Sequence, residues 1–598
     1  MPDLHLPRSL EVIFDIACAL LVSFAIFLFL MTFPAVATPV TNWSLAQWGP
    51  DNASVSRAHV RFPSVNEMIL ENFQAPGTAE AKSGEIRLNF FGFLPGLSWV
   101  SRARAENGFI VVQLDEQADG EDGLSLRDWR ALIDEVRAED IIVRFVRKGD
   151  PQSIHLQTAA GSLRSGDLSV SASGTGVSLN FEGRARPSDL SVLTGKLNMS
   201  GENFADFAEL AGFASPDTPP YQATAYLTFS RQQIALDFAP STRIGDSDLS
   251  GPMKITFGEA TPRIEADLQS ASLDFDDLGV VFGIPVGVGD NETTNQVQVA
   301  SRTAFDASDR LIPDAVIDFS RLDSVDGHVA YHAQHVNDAI FDIRSLKLEF
   351  DVEGRVVRAP LLRVDFDSGQ LISYVTLDAT QSPATTTTQG TLNNVQLSNL
   401  ALDPYVRGSG NGEFELEARG NGFRDAAATL NGRVSVWSKD ADLLALAAEG
   451  AALDLGEALT LLGEQSEDRT YTPARCAAIS IHFENGTGQL DPAIMDTADS
   501  LVIVEGQVGM RQERLDLKVR SEAKDASFGT LIGNVGIGGT FRSPEISALS
   551  AETVLQLGAT ALLASVSGGL AALPFIEPGM AEDAPCGAIM RRAQGMAP

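Results

Sequence analysis

Short runs in which apolar and polar residues alternate recur along most of the chain. Val177, Leu179 and Phe181 alternate strictly with polar residues, and such a pattern places the apolar side chains on one face of a β-strand. Turn-forming residues bound these runs. Comparable runs lie at residues 84–92, 108–115, 140–146, 154–158, 226–229, 234–238, 264–268, 346–352, 371–377, 414–418, 501–506 and 515–519. We therefore predict a mainly β protein, with many short strands side by side in one long antiparallel sheet.

Helical patterns are few. They lie at residues 126–136, 205–212, 443–463 and 551–573. Asn203 stands before the second of these and is a suitable N-cap residue. The expected fold is thus a sheet with a few short helices.

The N-terminus carries the strongest apolar run. Residues 16–33 contain no charge, and extending the run back to Leu10 gives about the 20 residues that a transmembrane helix needs. Arg8 precedes the run and the next basic residue after it is Arg57, so the positive-inside rule places residues 1–9 in the cytoplasm. Residues 35–37 also fit a signal-peptidase site, but the apolar run exceeds the usual length of a signal peptide. We expect an uncleaved anchor over residues 10–33.

Residues 34–63 are rich in Pro, Asn and Ser and are predicted to be a linker. Trp43 and Trp48 lie where interfacial aromatic residues would meet lipid head groups.

Charge and cysteine content narrow the class of protein. The 598 residues carry a formal charge of −35, which disfavours nucleic acid as a partner because such binding depends on Lys and Arg. Three cysteines are too few for a disulfide-rich scaffold, and Cys18 lies within the predicted anchor. Cys476 and Cys586 either form a disulfide in an oxidising compartment or remain two buried thiols.

Candidate catalytic and metal sites are weak. His328, His332 and His335 form a cluster, but on a strand the third points away from the other two, so we expect no metal site there. Asp274, Asp276 and Asp277 lack the spacing of a calcium loop and are expected to be solvated charges at a strand edge. The chain has no nucleophile elbow, no zinc-protease motif and no phosphate loop. We expect neither enzymatic activity nor a cofactor.

A sheet with one apolar face must cover that face, by sandwiching, by closing into a barrel, or by forming a groove for an apolar ligand. The first two describe a scaffold or binding protein, and the third a site for acyl chains.

The order of several segments resembles the AsmA-like family, which belongs to the bridge-like lipid-transport proteins of the bacterial envelope. The resemblance begins with the N-terminal apolar span and is firmest from about residue 195 to residue 592. It rests on residues 197–212 with Pro219, Pro220 and Tyr221, and on residues 314–336, 354–361, 369–373, 377–380, 418–422, 430–434, 485–497, 504–508, 539–544 and 573–579.

The resemblance implies a β-groove along which phospholipids move from the inner to the outer membrane during outer-membrane biogenesis. It implies an N-terminal β-groove region over residues 64–310, an AsmA-like C-terminal β region over 311–550, and a C-terminal helical segment and tail over 551–598. The bulk of the chain is then periplasmic. The residues that we expect to face the groove are Val177, Leu179, Phe181, Leu346, Leu348, Phe350, Leu515, Leu517 and Val519.

Residues 553–576 carry no charge but are only weakly apolar, so we expect a buried or membrane-surface helix there. This end is the expected contact with the outer membrane or with envelope proteins. The alternative function is a non-catalytic periplasmic scaffold whose apolar face is packed internally.

Overall fold

The computed structural model of the protein describes residues 18–19, 22–48, 52–92, 98–113, 133–147, 150–174, 176–186, 189–211, 215–230, 232–257, 261–282, 292–314, 317–337, 343–397, 406–444, 471–498, 500–524, 527–528, 535–547, 576–577 and 581–595. The chain forms two compact units. The first comprises residues 1–212 and 221–242, and the second comprises residues 213–220 and 243–598.

Strands dominate both units, as the alternation predicts. The helices are α1 (Val22–Leu30), α2 (Pro34–Trp48), α3 (Phe204–Ala211), α4 (Asp277–Phe282), α5 (Gln296–Asp306), α6 (Phe423–Ala428) and α7 (Cys586–Ala593), with a 3₁₀ helix at Phe319–Ser324. The strands up to the first unit's end are β1 (Ser54–Val60), β2 (Glu67–Ala75), β3 (Ala79–Leu88), β4 (Val100–Gln113), β5 (Ile133–Arg147), β6 (Asp150–Ser162), β7 (Asp167–Gly174), β8 (Val177–Arg186), β9 (Asp189–Gly201), β10 (Tyr221–Ser230) and β11 (Gln233–Ile244). The later strands are β12 (Ser247–Thr256), β13 (Arg263–Ser270), β14 (Leu273–Asp274), β15 (Asp326–Ala333), β16 (Val336–Asn337), β17 (Ile343–Glu353), β18 (Val356–Phe366), β19 (Gln370–Asp378), β20 (Thr385–Gln396), β21 (Val406–Arg419), β22 (Asn431–Leu444), β23 (Tyr471–Glu484), β24 (Thr487–Thr497), β25 (Ser500–Gly509), β26 (Arg514–Ala523), β27 (Ser527–Phe528), β28 (Val535–Gly539), β29 (Pro544–Ser547) and β30 (Ile576–Glu577).

The sheet of the first unit is mixed, which corrects the antiparallel prediction. Strands β1 to β10 pair in sequence order, and every pair is antiparallel except β4 with β5. Parallel neighbours need a crossover of a dozen or more residues. Residues 114–132, which join β4 to β5, provide that length and lie outside the described residues.

The second unit has the same exception. Most of its described strands pair antiparallel with a neighbour in sequence, and β26 with β28 and β27 with β30 are antiparallel as well. However, β13 and β15 run parallel, as do the short strands β14 and β16. The crossover spans residues 271–325 and contains α4, α5 and the 3₁₀ helix. The alternation pattern reports which residues share a face and not the direction of the neighbouring strand, so it did not reveal either parallel pair.

Residues 308–314 of this crossover are hydrogen-bonded to side chains at one end of the sheet. The fully buried carboxylate of Glu513, in the turn between β25 and β26, accepts hydrogen bonds from the Leu311 and Ile312 amides at 2.6 and 3.2 Å. Arg424 donates to the Ile312 carbonyl at 2.9 Å, and Arg542 donates to the Ser308 carbonyl at 2.7 Å. These side chains satisfy backbone groups of an irregular segment, which otherwise carry a desolvation cost.

The N-terminal region leaves the predicted anchor unconfirmed and corrects the predicted linker. Within residues 10–33 the structure describes only 18–19 and 22–33. Among the described residues no single helix has the length and apolar content of a membrane span, whereas α1 and α2 meet the criterion together but are bent by 97°.

Residues 34–63, predicted as a linker, contain α2 and β1. Helix α2 packs along β1, where Asn42 exchanges hydrogen bonds with the Val55 backbone and Thr38 accepts one from the Ala58 amide. Ala37, Ala58 and Leu70 are buried in the same apolar cluster. Apolar residues among the Pro, Asn and Ser residues of this segment therefore form core contacts that composition alone did not reveal.

The helix predictions have mixed outcomes. The prediction for residues 205–212 is confirmed by α3, and the Asn203 side chain accepts a hydrogen bond from the Ala205 amide at 3.0 Å, as an N-cap does. The prediction for residues 126–136 is wrong at its C-terminal end, because β5 begins at Ile133. The prediction for residues 443–463 is wrong at its start, because residues 443–444 belong to β22. The remainder of those two segments, and residues 551–573, lie outside the described residues.

Candidate functional site: an apolar face of the sheet

The second unit carries a continuous row of apolar side chains across five strands. Leu346 on β17 lies opposite Ala333 on β15 and Val364 on β18, and Val364 lies opposite Leu371, which in turn lies opposite Leu392. All five belong to one apolar cluster. Because residues two apart on a strand share a face, Leu348 and Phe350 lie on this face as well.

The face continues over the next four strands. Leu392 lies opposite Gly412 on β21, and Phe414 is two residues further along that strand. Phe414 lies opposite Val434, Val434 opposite Ile481, and Ile481 opposite Leu490. The apolar character therefore extends from β15 to β24.

The last strands of this sheet repeat the pattern. Leu515, Leu517 and Val519 on β26 lie opposite Val508, Gly506 and Val504 of β25, and Leu517 also lies opposite Ile537 of β28. The six candidates of this unit, from Leu346 to Val519, thus occupy one face of one sheet.

The opposite face is mostly polar. The residues between the apolar candidates are Lys347 and Glu349 on β17, Glu413 and Glu415 on β21, and Asp516 and Lys518 on β26. Lys347, Glu349, Glu415, Asp516 and Lys518 are exposed. On β17, β21 and β26 the two faces consequently differ in polarity.

In the first unit the three candidates lie together on β8. Phe181 lies opposite Val170 of β7 and Leu197 of β9, and Leu179 lies opposite Ala172 and Met199. Val177, at the start of β8, shares their face. The sequence therefore identified an apolar face in each unit.

The candidates differ in burial. Val177, Phe181 and Leu346 are buried. The other six, Leu179, Leu348, Phe350, Leu515, Leu517 and Val519, are only half-buried. Ile479, on the apolar face of β23, is 36% exposed. Apolar side chains within a closed core are almost fully buried, so this face retains accessible apolar surface.

Helix α7 covers part of the opposite face. Its Ile589 and Ala593 pack with Ala478 of β23 and with Trp437 of β22. Trp437 lies opposite Ala478 on β23. Val436 lies two residues after Val434 and shares the apolar face, so the adjacent Trp437 lies on the other face of the sheet. A disulfide between Cys476 and Cys586, with Cα atoms 5.8 Å apart, joins the start of this helix to β23 and settles the alternatives left open for these thiols.

An ion-pair cluster lies beside this disulfide. Asp496 is fully buried and accepts hydrogen bonds from Lys524 and from Arg475, the latter at 3.1 Å. Lys524 also donates to Asp583 at 2.9 Å and to the Thr497 carbonyl at 2.6 Å. Burial opposes the charge of Lys524, but hydrogen bonds to Asp496 and Asp583 raise its pKa, while Lys524 lowers the pKa of Asp583. No local sequence signal marks this cluster, because its four members come from four separate segments of the chain.

The acidic triplet is not solvated as predicted. Asp274 is buried, and Asp277 accepts hydrogen bonds from the Asp246 amide at 3.0 Å and from the Ser247 amide and hydroxyl at 2.9 and 2.6 Å. Burial, with a smaller contribution from the nearby Asp274 carboxylate, raises the pKa of Asp277 from 3.8 to about 7 against these hydrogen bonds. The turn before β12, some 30 residues earlier in the chain, creates this environment.

Potential metal ligands approach one another in two places among the described residues. Carboxylates of Asp274, Asp276 and Glu292 lie within 4.8 Å of one another, as do Cys476, Asp496 and Cys586, whose sulfurs are bonded together.

The histidines belong to the strand scaffold. His328 and His332 lie on β15, and the Nδ1 atom of His328 is 2.8 Å from the Asp351 carboxylate. The Nδ1 atom of His335 is 3.1 Å from the Ala271 carbonyl.

Comparison with known proteins is consistent with the resemblance seen in the sequence. The model of the AsmA family matches residues 149–491, which is more than half of the chain. The AsmA family protein YhjG of Escherichia coli (strain K12) is 24% identical over 407 residues, covering 66% of this chain and 59% of that relative. The chain therefore matches less than two thirds of the relative's length.

Proposed function

The chain belongs to the AsmA family, and from this premise we propose that it is a membrane-anchored periplasmic lipid conduit or chaperone that supports phospholipid transport and outer-membrane biogenesis. Helix α1 and the apolar residues before it provide the inner-membrane anchor. The apolar sheet face binds acyl chains, and the protein performs no catalysis.

One observation carries the proposal: the apolar face keeps accessible surface, as the half-buried side chains of Leu348 and Leu517 and the exposed Ile479 demonstrate. Shielding of acyl chains from water stabilises them by about 0.8 kcal/mol per methylene group. The charged residues of the other face stay in water and do not bind acyl chains. A face of this kind binds an acyl chain without any specific polar contact.

The proposal is tested by site-specific photo-crosslinking in the full-length protein in cells. A photoreactive phenylalanine analogue replaces Leu348 or Leu517 in the test variants, and Lys347 or Lys518 in matched controls. Each control is the neighbouring residue on the same strand and lies on the opposite face.

After irradiation, mass spectrometry of the purified protein measures phospholipid adducts. We expect adducts at Leu348 and Leu517 to be several-fold more abundant than at the two lysine positions. Equal, low yields at all four positions in a folded protein would refute lipid binding by this face and would favour the scaffold alternative.

A further inference from the structure

Exposed aromatic side chains gather at one end of the first unit's sheet. Phe62, in the connection between β1 and β2, is 72% exposed. Phe91 and Trp99, in the connection between β3 and β4, are 63% and 50% exposed. Transfer of a large aromatic side chain out of water is favourable, so exposed clusters of them mark surfaces for protein or membrane contact.

Hydrogen bonds fix these two connections next to the end of α1. The Val60 amide donates to the Met31 carbonyl just after α1, at 2.9 Å. The Leu88 amide donates to the Asn66 carbonyl at 2.7 Å, which joins the ends of the two connections. Consequently the apolar helix and both aromatic connections share one end of the sheet.

The β3–β4 connection also runs alongside α1. The rings of Phe90 and Phe24 pack edge to face with their centroids 5.5 Å apart. Phe24 precedes Met31 by seven residues, about 10 Å along a helix axis. The connection therefore reaches back over the part of α1 that enters the membrane in the proposed anchor.

The local charge fits a lipid surface. Residues 89–99 contain no charged side chain, in a chain whose formal charge is −35. Arg61, which precedes Phe62, forms an ion pair with Glu67 at 3.1 Å. The patch thus adds no net anionic charge that head groups would repel.

We propose that Phe62, Phe91 and Trp99 insert into the interfacial layer of the leaflet that α1 enters, as a second membrane contact of the first unit. The occupant is the lipid bilayer itself, and continuity of the patch with α1 through Phe24 and Phe90 is the argument for it. Aromatic residues are enriched at this depth, and interfacial segments bury their apolar side about 5–10 Å into the boundary between head groups and acyl chains. The inference rests on the anchoring role proposed for α1.

Depth-dependent fluorescence quenching tests the contact in the full-length protein reconstituted in phospholipid nanodiscs. In a Cys18→Ser background, an environment-sensitive fluorophore is attached at Phe62→Cys or Phe91→Cys. Phe27→Cys within α1 reports on the anchor, and Gln74→Cys, exposed at the opposite end of β2, is the surface control.

Nitroxide lipids carry the quencher either near the head group or deep in the acyl chain. We expect the labels at positions 62 and 91 to be quenched several-fold more than the label at 74, and more strongly by the shallow quencher than by the deep one. The label at position 27 should be quenched more strongly by the deep quencher.

The outcomes separate this inference from the proposed anchor. Quenching at 62 and 91 no stronger than at 74, with strong quenching at 27, overturns the second contact and leaves the anchor intact. Shallow quenching at 62 and 91 without quenching at 27 overturns the anchor and, with it, the inference that these residues enter the leaflet of α1. Absence of quenching at all three overturns both.

Discussion

Asp496 is a fully buried carboxylate whose charge is balanced by Lys524 and Arg475. Such a pair gains little net stability over an apolar replacement, because taking both charges out of water is costly. Removing only one partner is different, since the remaining charge stays buried without compensation. The cluster is therefore sensitive to single changes.

We expect Asp496→Asn to destabilise the fold by about 3–5 kcal/mol, the range for breaking a buried pair. Asp491→Asn on the same strand is the control. It disrupts the exposed pair with Arg592, and exposed pairs contribute about 0–1 kcal/mol. Urea midpoints of both variants measure the difference, and a loss for Asp496→Asn as small as for Asp491→Asn would contradict the assigned role.

Asp277 makes the free energy of unfolding depend on pH. Its pKa is about 7 in the folded chain and near 3.8 when unfolded, so the folded state binds the proton more tightly. The group costs no stability below about pH 4, and the cost grows as pH rises to about 7 and is constant above. One pKa unit corresponds to about 1.4 kcal/mol, which bounds the effect at about 4 kcal/mol.

Asp277→Asn removes this titration. We expect its urea midpoint, relative to that of the wild type, to rise between pH 4 and pH 7 and then to level off. Asp367→Asn, at an exposed aspartate, is the matched control. A difference that is independent of pH would show that Asp277 does not titrate in this range.

At the scale of elements, α7 is a short helix that depends on its attachments. It has eight residues, and isolated helices of that length are marginal in water. Burial of Ile589, Met590 and Ala593, together with the disulfide at its first residue, holds it on β22–β24.

We expect Cys586→Ser to destabilise the protein by up to about 4–5 kcal/mol, because the disulfide closes a loop with a sequence separation of 110 residues. Cys476→Ser should have the same effect. Cys18→Ser removes the free thiol and should leave the urea midpoint unchanged. Midpoints that are equal for all three variants would mean that the disulfide adds no stability.

At the scale of the molecule, the period-two alternation was enough to predict a mainly β fold and the apolar faces around Phe181, Leu348 and Leu517. This works because side chains on a strand point to alternating faces whatever the strand pairs with. The parallel pair of β13 and β15 was not predictable, since strand direction depends on a crossover without a periodic signal. The Asp496 cluster was equally hidden, because Lys524 and Asp583 meet it only after folding.

The continuity of the apolar face can be tested in the second unit. Phe414 lies between the Leu348 and Leu517 positions on that face. If lipids enter at one end and move along the face, Phe414→Glu should abolish lipid crosslinks at one of these positions and retain them at the other. Glu415→Gln, on the opposite face, is the control. Unchanged crosslinks at both positions would indicate separate lipid sites loaded from solvent.

Nearly every ladder described above joins strands that follow one another in the chain. In the periplasmic protein proposed above, the strands leave the inner membrane in sequence order behind the anchor, so each strand can be added to an edge that has already formed. We therefore expect the strands to fold in their order of export, because each contacts mainly its neighbours, as the units of linear repeat proteins do. Cys586 follows every described strand in the chain, so we expect its disulfide with Cys476 to form last.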